Sequence, residues 1–293
     1  MEPRGISTSE AGGIMGRGKS KASLGIMEAI KGVLAELHPM TLRQTFYQLV
    51  SRQVIDNTKS QYEAVMRLLV EMRKNGDISW EWIEDRMRRP RLVSMWENLE
   101  DFGETVCQVY RKDVWSQQER LVEVWLEKDA LSGIFEDALN SYGITLNVGR
   151  GYDGWASIHL ASERYRAWKS VEVIILYFGD FDPSGEDMFH SVRERLEYFE
   201  SRPEMLKLAI CQEDIEAYNL PPDFTKVTDT RQDGFVHKYD DQAVELDALP
   251  VNILRDRIRD GVERYLDMNA LREVRALEED EKKRLRRMFS TKR

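Results

Sequence analysis

Between residues 122 and 210 the chain alternates short runs of β-branched and aromatic residues with amphipathic stretches, and this alternation leaves few architectures open. Residues 122–126, 144–148, 171–178 and 206–210 read as strands, and 129–139, 155–168 and 185–200 read as helices between them. Parallel neighbours need a crossover connection, and a parallel sheet needs both faces covered. The pattern therefore predicts an α/β region, a Rossmann-like parallel sheet with helices on its faces.

The residues before it have a different rhythm. Leu24, Ile26, Met27, Ile30, Val33, Leu34 and Leu37 recur at helical spacing, and His38-Pro39 stops that helix. Thr41 is suited to cap a second helix over 41–53, and a third amphipathic stretch over 62–72 ends at Asn75-Gly76-Asp77. Ile78-Ser79-Trp80 then suits a short extended segment. Three helices, a turn and short strands give the outline of a winged-helix unit. The expected division is a flexible basic tail over 1–22, a winged-helix (CAP-like) domain over 23–115, a sheet domain over 116–270 and a charged, exposed helix with a basic tip over 271–293. Residues 86–119 read as a charged and aromatic connector. The 293 residues, 42% of them hydrophobic, are enough for a core in each of two domains.

Charge is unevenly spread. Residues 1–91 carry 15 Lys+Arg against 11 Asp+Glu, and the remainder carries 28 against 41, so the first third is the part suited to face phosphates. No stretch reaches the roughly 18 uninterrupted apolar residues of a membrane span, and the polar, Gly-rich start lacks a secretory layout, so a cytoplasmic protein is expected. Cys107 and Cys211 lie far apart without a CxxC partner, which leaves no disulfide framework or cysteine zinc site within the chain.

The strongest chemical signals are acidic and fall at strand ends, where ligands gather in open parallel sheets. Glu127 directly follows the strand 122–126, and Gly179-Asp180-Phe181-Asp182-Pro183 directly follows the strand 171–178. The alternation of Asp180 and Asp182 is expected to aim two carboxylates into one space, with Gly179 and Gly185 allowing tight backbone paths. Hard oxygen ligands without histidine suit Mg²⁺, which shares its shell with phosphate oxygens. Asp180 and Asp182 read equally as helix-capping and turn residues, but that leaves Glu127 without a role.

These segments resemble a known family. LEKDALSGIF (126–135) with YFGDFDPSGEDM (177–188) is similar to the Toprim domain of topoisomerases, primases and some nucleases. GDFDPSG, the upstream GRGYDG (149–154) and the downstream VELDALP (244–250) are similar to the A subunit of type IIB topoisomerases and its meiotic double-strand-break relatives. The resemblance implies that Glu127, Asp180 and Asp182 hold Mg²⁺. It also implies a nucleophilic tyrosine at the end of an Arg-x-x-aromatic-Tyr motif in the winged helix, which Arg43-Gln44-Thr45-Phe46-Tyr47 matches. Arg43 and Tyr47 are four apart on one helix, so a cation lies beside the phenol, and Tyr47 is expected near the edge of the apolar stripe with its hydroxyl projecting. The family pattern further implies double-stranded DNA as substrate, a 5′-phosphotyrosyl link, a homodimer in which each tyrosine works with the partner's metal site, a separate GHKL-type ATPase B subunit and a place with the nucleoid.

Arg86, Arg88, Arg89 and Arg91 can grip a DNA backbone or form a solvated loop. Glu245 and Asp247 can support the metal site or the fold. Gly13 to Ser20 fits a P-loop literally, but the polar MEPRGISTSEA before it is no buried strand. His159, His190 and His237 have no metal-ligand spacing. Two other functions fit the same residues: a Toprim nuclease using metal-activated water, and a DNA-binding or bridging protein without chemistry.

Overall fold

The computed structural model describes residues 20–84, 93–149, 154–168, 171–222 and 243–289. Its first unit is helical. Helix α1 (Lys21–Leu37) starts at Ser20, whose side chain accepts the Ser23 amide, and buries Ile30, Val33, Leu34 and Leu37. The last two residues of the expected tail, Lys21 and Ala22, thus belong to a capped helix. Thr41 and Gln44 form a reciprocal capping box at the head of α2 (Leu42–Ser51), satisfying two amides that a helix start would otherwise leave open. Helix α3 (Lys59–Asn75) ends at Gly76 with φ 76°, the left-handed conformation that glycine adopts without strain.

The short extended segment expected at Ile78–Trp80 is not formed. Ser79 instead caps a single 3₁₀ turn, Trp80–Trp82, and the nearest thing to a strand is one parallel bridge between Met40 and Ile83. The connector also holds more structure than its composition suggests. Asn98 caps a helix α4 (Leu99–Val109), which buries Gly103 and Cys107. That face packs on the last helix, where a Cβ on Gly103 would stand 2.5 Å from the Phe289 Cβ.

The sheet has four parallel strands in the order β2-β1-β3-β4: β1 (Arg120–Leu126), β2 (Thr145–Val148), β3 (Glu172–Phe178) and β4 (Glu204–Ala209). Four helices cross between and after them: α5 (Ser132–Leu139), α6 (Trp155–Ala167), α7 (Pro183–Tyr198) and the short α8 (Gln212–Tyr218). The terminal stretch is two helices, α9 (Val251–Glu263) and α10 (Met268–Phe289). Helix α5 covers one face of the sheet, with Phe135 4.9 Å from the Phe178 ring, and α9 covers the same face through Gly261 against Leu176 and Leu208. Helices α6 and α7 cover the other, where Tyr165 reaches Glu123 and Phe189 lies 5.0 Å from Tyr177.

The chain leaves β1 toward β2 on one side and returns past β1 to β3 on the other. The reversal of strand order therefore falls between β1 and β3, which opens a crevice at their carboxyl ends. One continuous apolar cluster runs from α1 through the sheet to α10, joining the two expected cores. Helix α10, expected to be exposed, buries Leu271, Val274, Glu278 and Lys282 along one side; Lys282 pairs with Glu278 at 2.5 Å.

Candidate metal centre and tyrosine helix

Glu127 continues directly from β1, its amide donating to the Phe178 carbonyl at 2.9 Å, so the ends of β1 and β3 are locked side by side. Its Oε2 accepts the Asp180 amide at 3.0 Å. The loop after β3 is pinned at alternate residues. Gly179 exchanges two 2.8 Å backbone bonds with Ala209 and Ile210, and Phe181 exchanges two 2.8 Å bonds with Val244. Asp180 and Asp182 are left to turn inward, and both are buried.

The two aspartates take different hydrogen-bond partners. Asp182 caps α7, accepting the Gly185 amide at 2.7 Å, with Pro183 at the first helical position. Asp180 Oδ1 accepts the Leu246 amide at 2.8 Å and pairs with Lys128 Nζ at 3.0 Å. Among the described residues no three His, Cys, Asp or Glu side chains stand together at ligand spacing. What the fold does bring together is charge. Burial, reinforced by the charges of Asp180 and then Asp182, pushes the Glu127 carboxyl up to about 7. The half-buried Glu127 and the buried Asp180 and Asp182, whose charges act on it in this strand-end crevice, fit a hard divalent cation in donor type and in the negative charge to be neutralised.

Gly185 acts here through size, since a Cβ on it would lie 2.5 Å from the Asp180 carbonyl oxygen and 3.3 Å from Glu127 Oε2. Gly185→Ala is expected to lose about 1–3 kcal/mol by overpacking, despite the better helix propensity of alanine. Chemical denaturation checks this, and a variant as stable as the parent removes the close-approach role.

Lys128 and Lys207 were given no role from sequence. Lys128 reaches three carboxylates: Asp180, Asp247 Oδ2 at 3.2 Å and Glu245 Oε2 at 3.4 Å. Burial works against its charge, but Asp247, Asp180 and Glu245 together hold its pKa well above the ordinary value. Lys207, on β4, donates to the Asp180 carbonyl at 2.9 Å and to Glu186 Oε1 at 2.5 Å. The available signals were position alone: Lys128 next to a strand-end glutamate, and Lys207 as a cation inside a mostly apolar strand.

The 3₁₀ turn Leu246–Ala248 carries Asp247 and follows Glu245, and it packs against α2. Thr41 Oγ1 donates to Asp247 Oδ1 at 3.1 Å, and Arg43 Nε pairs with Glu245 Oε2 at 2.5 Å. Burial opposes the charge on Arg43, but Glu245, Tyr47 and Asp247 hold its pKa up. Burial likewise pushes the Glu245 carboxyl up to about 7 against the pull of Lys128 and Arg43. An ionic chain therefore links Arg43, Glu245, Lys128 and Asp180, joining the tyrosine helix to the acidic crevice within one chain.

Tyr47 differs from expectation. It is 0% exposed, with its ring 5.3 Å from Phe46. The reason is that α2 is enclosed on several sides, so Gln44 through Leu49 are all buried. Its phenol interacts with Arg43. Arg86, Arg88, Arg89 and Arg91, the Arg150–Asp153 part of GRGYDG, and the P-loop-like residues before Ser20 lie outside the described residues. His159 pairs with Glu163 on its own helix at 3.7 Å.

No protein-family model matches the chain, and no curated protein is significantly similar to it in sequence. No described helix is long and apolar enough to cross a membrane.

The raised glutamates give a pH dependence. A carboxyl whose folded pKa lies above the ordinary value near 4.5 binds more protons folded than unfolded across that interval. Its contribution to stability is therefore full at or below pH ~4.5 and is lost as pH rises through about 7. Without divalent cation, Tm is expected to fall between about pH 5 and 8, and millimolar Mg²⁺ to reverse much of that fall. Calorimetry with and without Mg²⁺ tests this; a metal-free profile that is flat or rises over that range overturns it.

Proposed function

We propose that this protein is a Mg²⁺-dependent DNA-cleaving transesterase resembling a type IIB topoisomerase A subunit, a winged-helix unit carrying Tyr47 joined to a Toprim unit carrying the metal. The observation that carries the reading is the crevice between β1 and β3, where Glu127 rests on the Asp180 amide and its carboxyl is raised by burial and by both aspartates. Glu127, Asp180 and Asp182 would hold the ion, which when bound neutralises charge on a phosphodiester. Arg43, in contact with Tyr47, favours the phenolate and the phosphate alike. The Tyr47 oxygen bonds to phosphorus, the bond from phosphorus to the 3′ oxygen breaks, and that oxygen takes up the proton the phenol gave up, leaving the protein on the 5′ end.

Burial of Tyr47 sets a condition on this chemistry: α2 must part from the Leu246–Ala248 turn, and Arg43 from Glu245, before a phosphate reaches the phenol. The same burial favours a second reading, a Toprim nuclease in which metal-activated water cuts and Tyr47 only packs. Double-stranded DNA as substrate, Arg86, Arg88, Arg89 and Arg91 as backbone contacts, a pair of chains to cut both strands and a GHKL-type ATPase partner belong to the proposal. The test is incubation with supercoiled DNA and Mg²⁺, followed by a detergent quench. Protein attached to 5′ ends supports the transesterase, free ends support the nuclease, and intact DNA with or without a candidate ATPase leaves neither.

A further inference from the structure

Helix α4 is apolar on two sides, and the second is covered only in part, by edge contacts of Phe102 with Trp96 at 5.0 Å and Phe289 at 6.1 Å. Gly103 and Cys107 pack on α10, while Leu99, Phe102 and Val109 are 75%, 36% and 66% exposed, with Val106 half-buried between them. With Met95 just before the helix, the spacing is +4, +3, +4, +3, the a/d repeat of a helix that meets another helix.

We infer that this stripe is a homotypic interface, on which α4 of a second copy of the chain packs antiparallel about a two-fold axis. The stripe is complementary to itself under that operation. An axis through the stripe at the height of residue 104 sets Leu99 against Val109 of the other copy and Phe102 against its Val106, a larger residue against a smaller one four times over. Charge agrees. The open flank of the stripe carries Asn98 and Thr105, so no like charges meet along it. The same axis brings the exposed Glu97, just before α4, level with the exposed Arg111 of the other copy, just after its α4, and does so at both ends. Glu100 and Glu104 lie beside Gly103 and Cys107 on the α10 side and not on the stripe, which argues against a basic occupant of the stripe.

This contact is independent of the proposed chemistry, and its test needs no activity. Light scattering on the purified full chain at tens of micromolar is expected to give twice the chain mass, and Leu99→Glu to give the single-chain mass with an unchanged circular dichroism spectrum. The double variant Leu99→Cys with Val109→Cys is expected to join two chains through a short thiol cross-linker, and Leu99→Cys alone is not, because antiparallel pairing sets 99 against 109. A parent protein of single-chain mass overturns the inference. So does a pair that Leu99→Glu leaves intact, or cross-linking by Leu99→Cys alone as efficient as by the double variant.

Discussion

Asp180→Asn is expected to lower Mg²⁺-dependent cleavage of supercoiled DNA by ~10³-fold while the fold stands. The amide oxygen of asparagine can still accept the Leu246 amide, so the turn that follows Val244 keeps its anchor. What disappears is the negative charge that pairs with Lys128 and helps raise Glu127. The Glu127 carboxyl should therefore move back toward its ordinary range, and the fall in Tm with rising pH should become shallower. Cleavage and the thermal profile thus report one substitution independently. Full cleavage by Asp180→Asn sinks the metal role, whatever the thermal profile does.

Tyr47→Phe is expected to abolish covalent attachment to 5′ ends altogether and to leave Mg²⁺-dependent stabilisation unchanged. The ring is fully buried against Phe46, and phenylalanine keeps that packing, so the stability cost should be ~1 kcal/mol from the lost hydroxyl contact. The measurement is the detergent-quenched reaction with end-labelled DNA. Attachment that persists in this variant places the nucleophile elsewhere, whereas undiminished cutting with free ends in both proteins moves the chemistry to water.

The sheet was legible because its signals are local. Runs such as Val173 to Phe178, flanked by turn residues and by helical periodicity, leave little choice of element, and consecutive crossovers then fix parallel pairing. Glu127 and Asp180 could be placed at strand ends for the same reason, while the adjacency of those two strands comes from the sheet order. What each carboxylate touches was not legible, since it depends on Glu245 and Asp247, about 65 residues beyond Asp180, and on Lys128 competing for the same charge. Tyr47 was misplaced because helical periodicity describes one buried side, while α2 is enclosed on several. Helix α4 was hidden in a stretch whose acidic and aromatic content masks a short amphipathic pattern, although Asn98 with Asp101 is a recognisable start signal.

The ties between the first and last parts of the chain bear on how it is made. Thr41 meets Asp247 across 206 positions, Arg255 reaches the Pro39 carbonyl, and Lys112 reaches Glu278. A ribosome adds roughly 5–20 residues per second, so helices α1 to α3 wait on the order of ten seconds or more for the turn that covers α2. Throughout that interval the nascent chain has Glu127 and Lys128 but neither Glu245 nor Asp247. The ionic chain that reaches Arg43 closes only once Glu245 and Asp247 have been made, so a polypeptide that stops before them lacks the assembled centre.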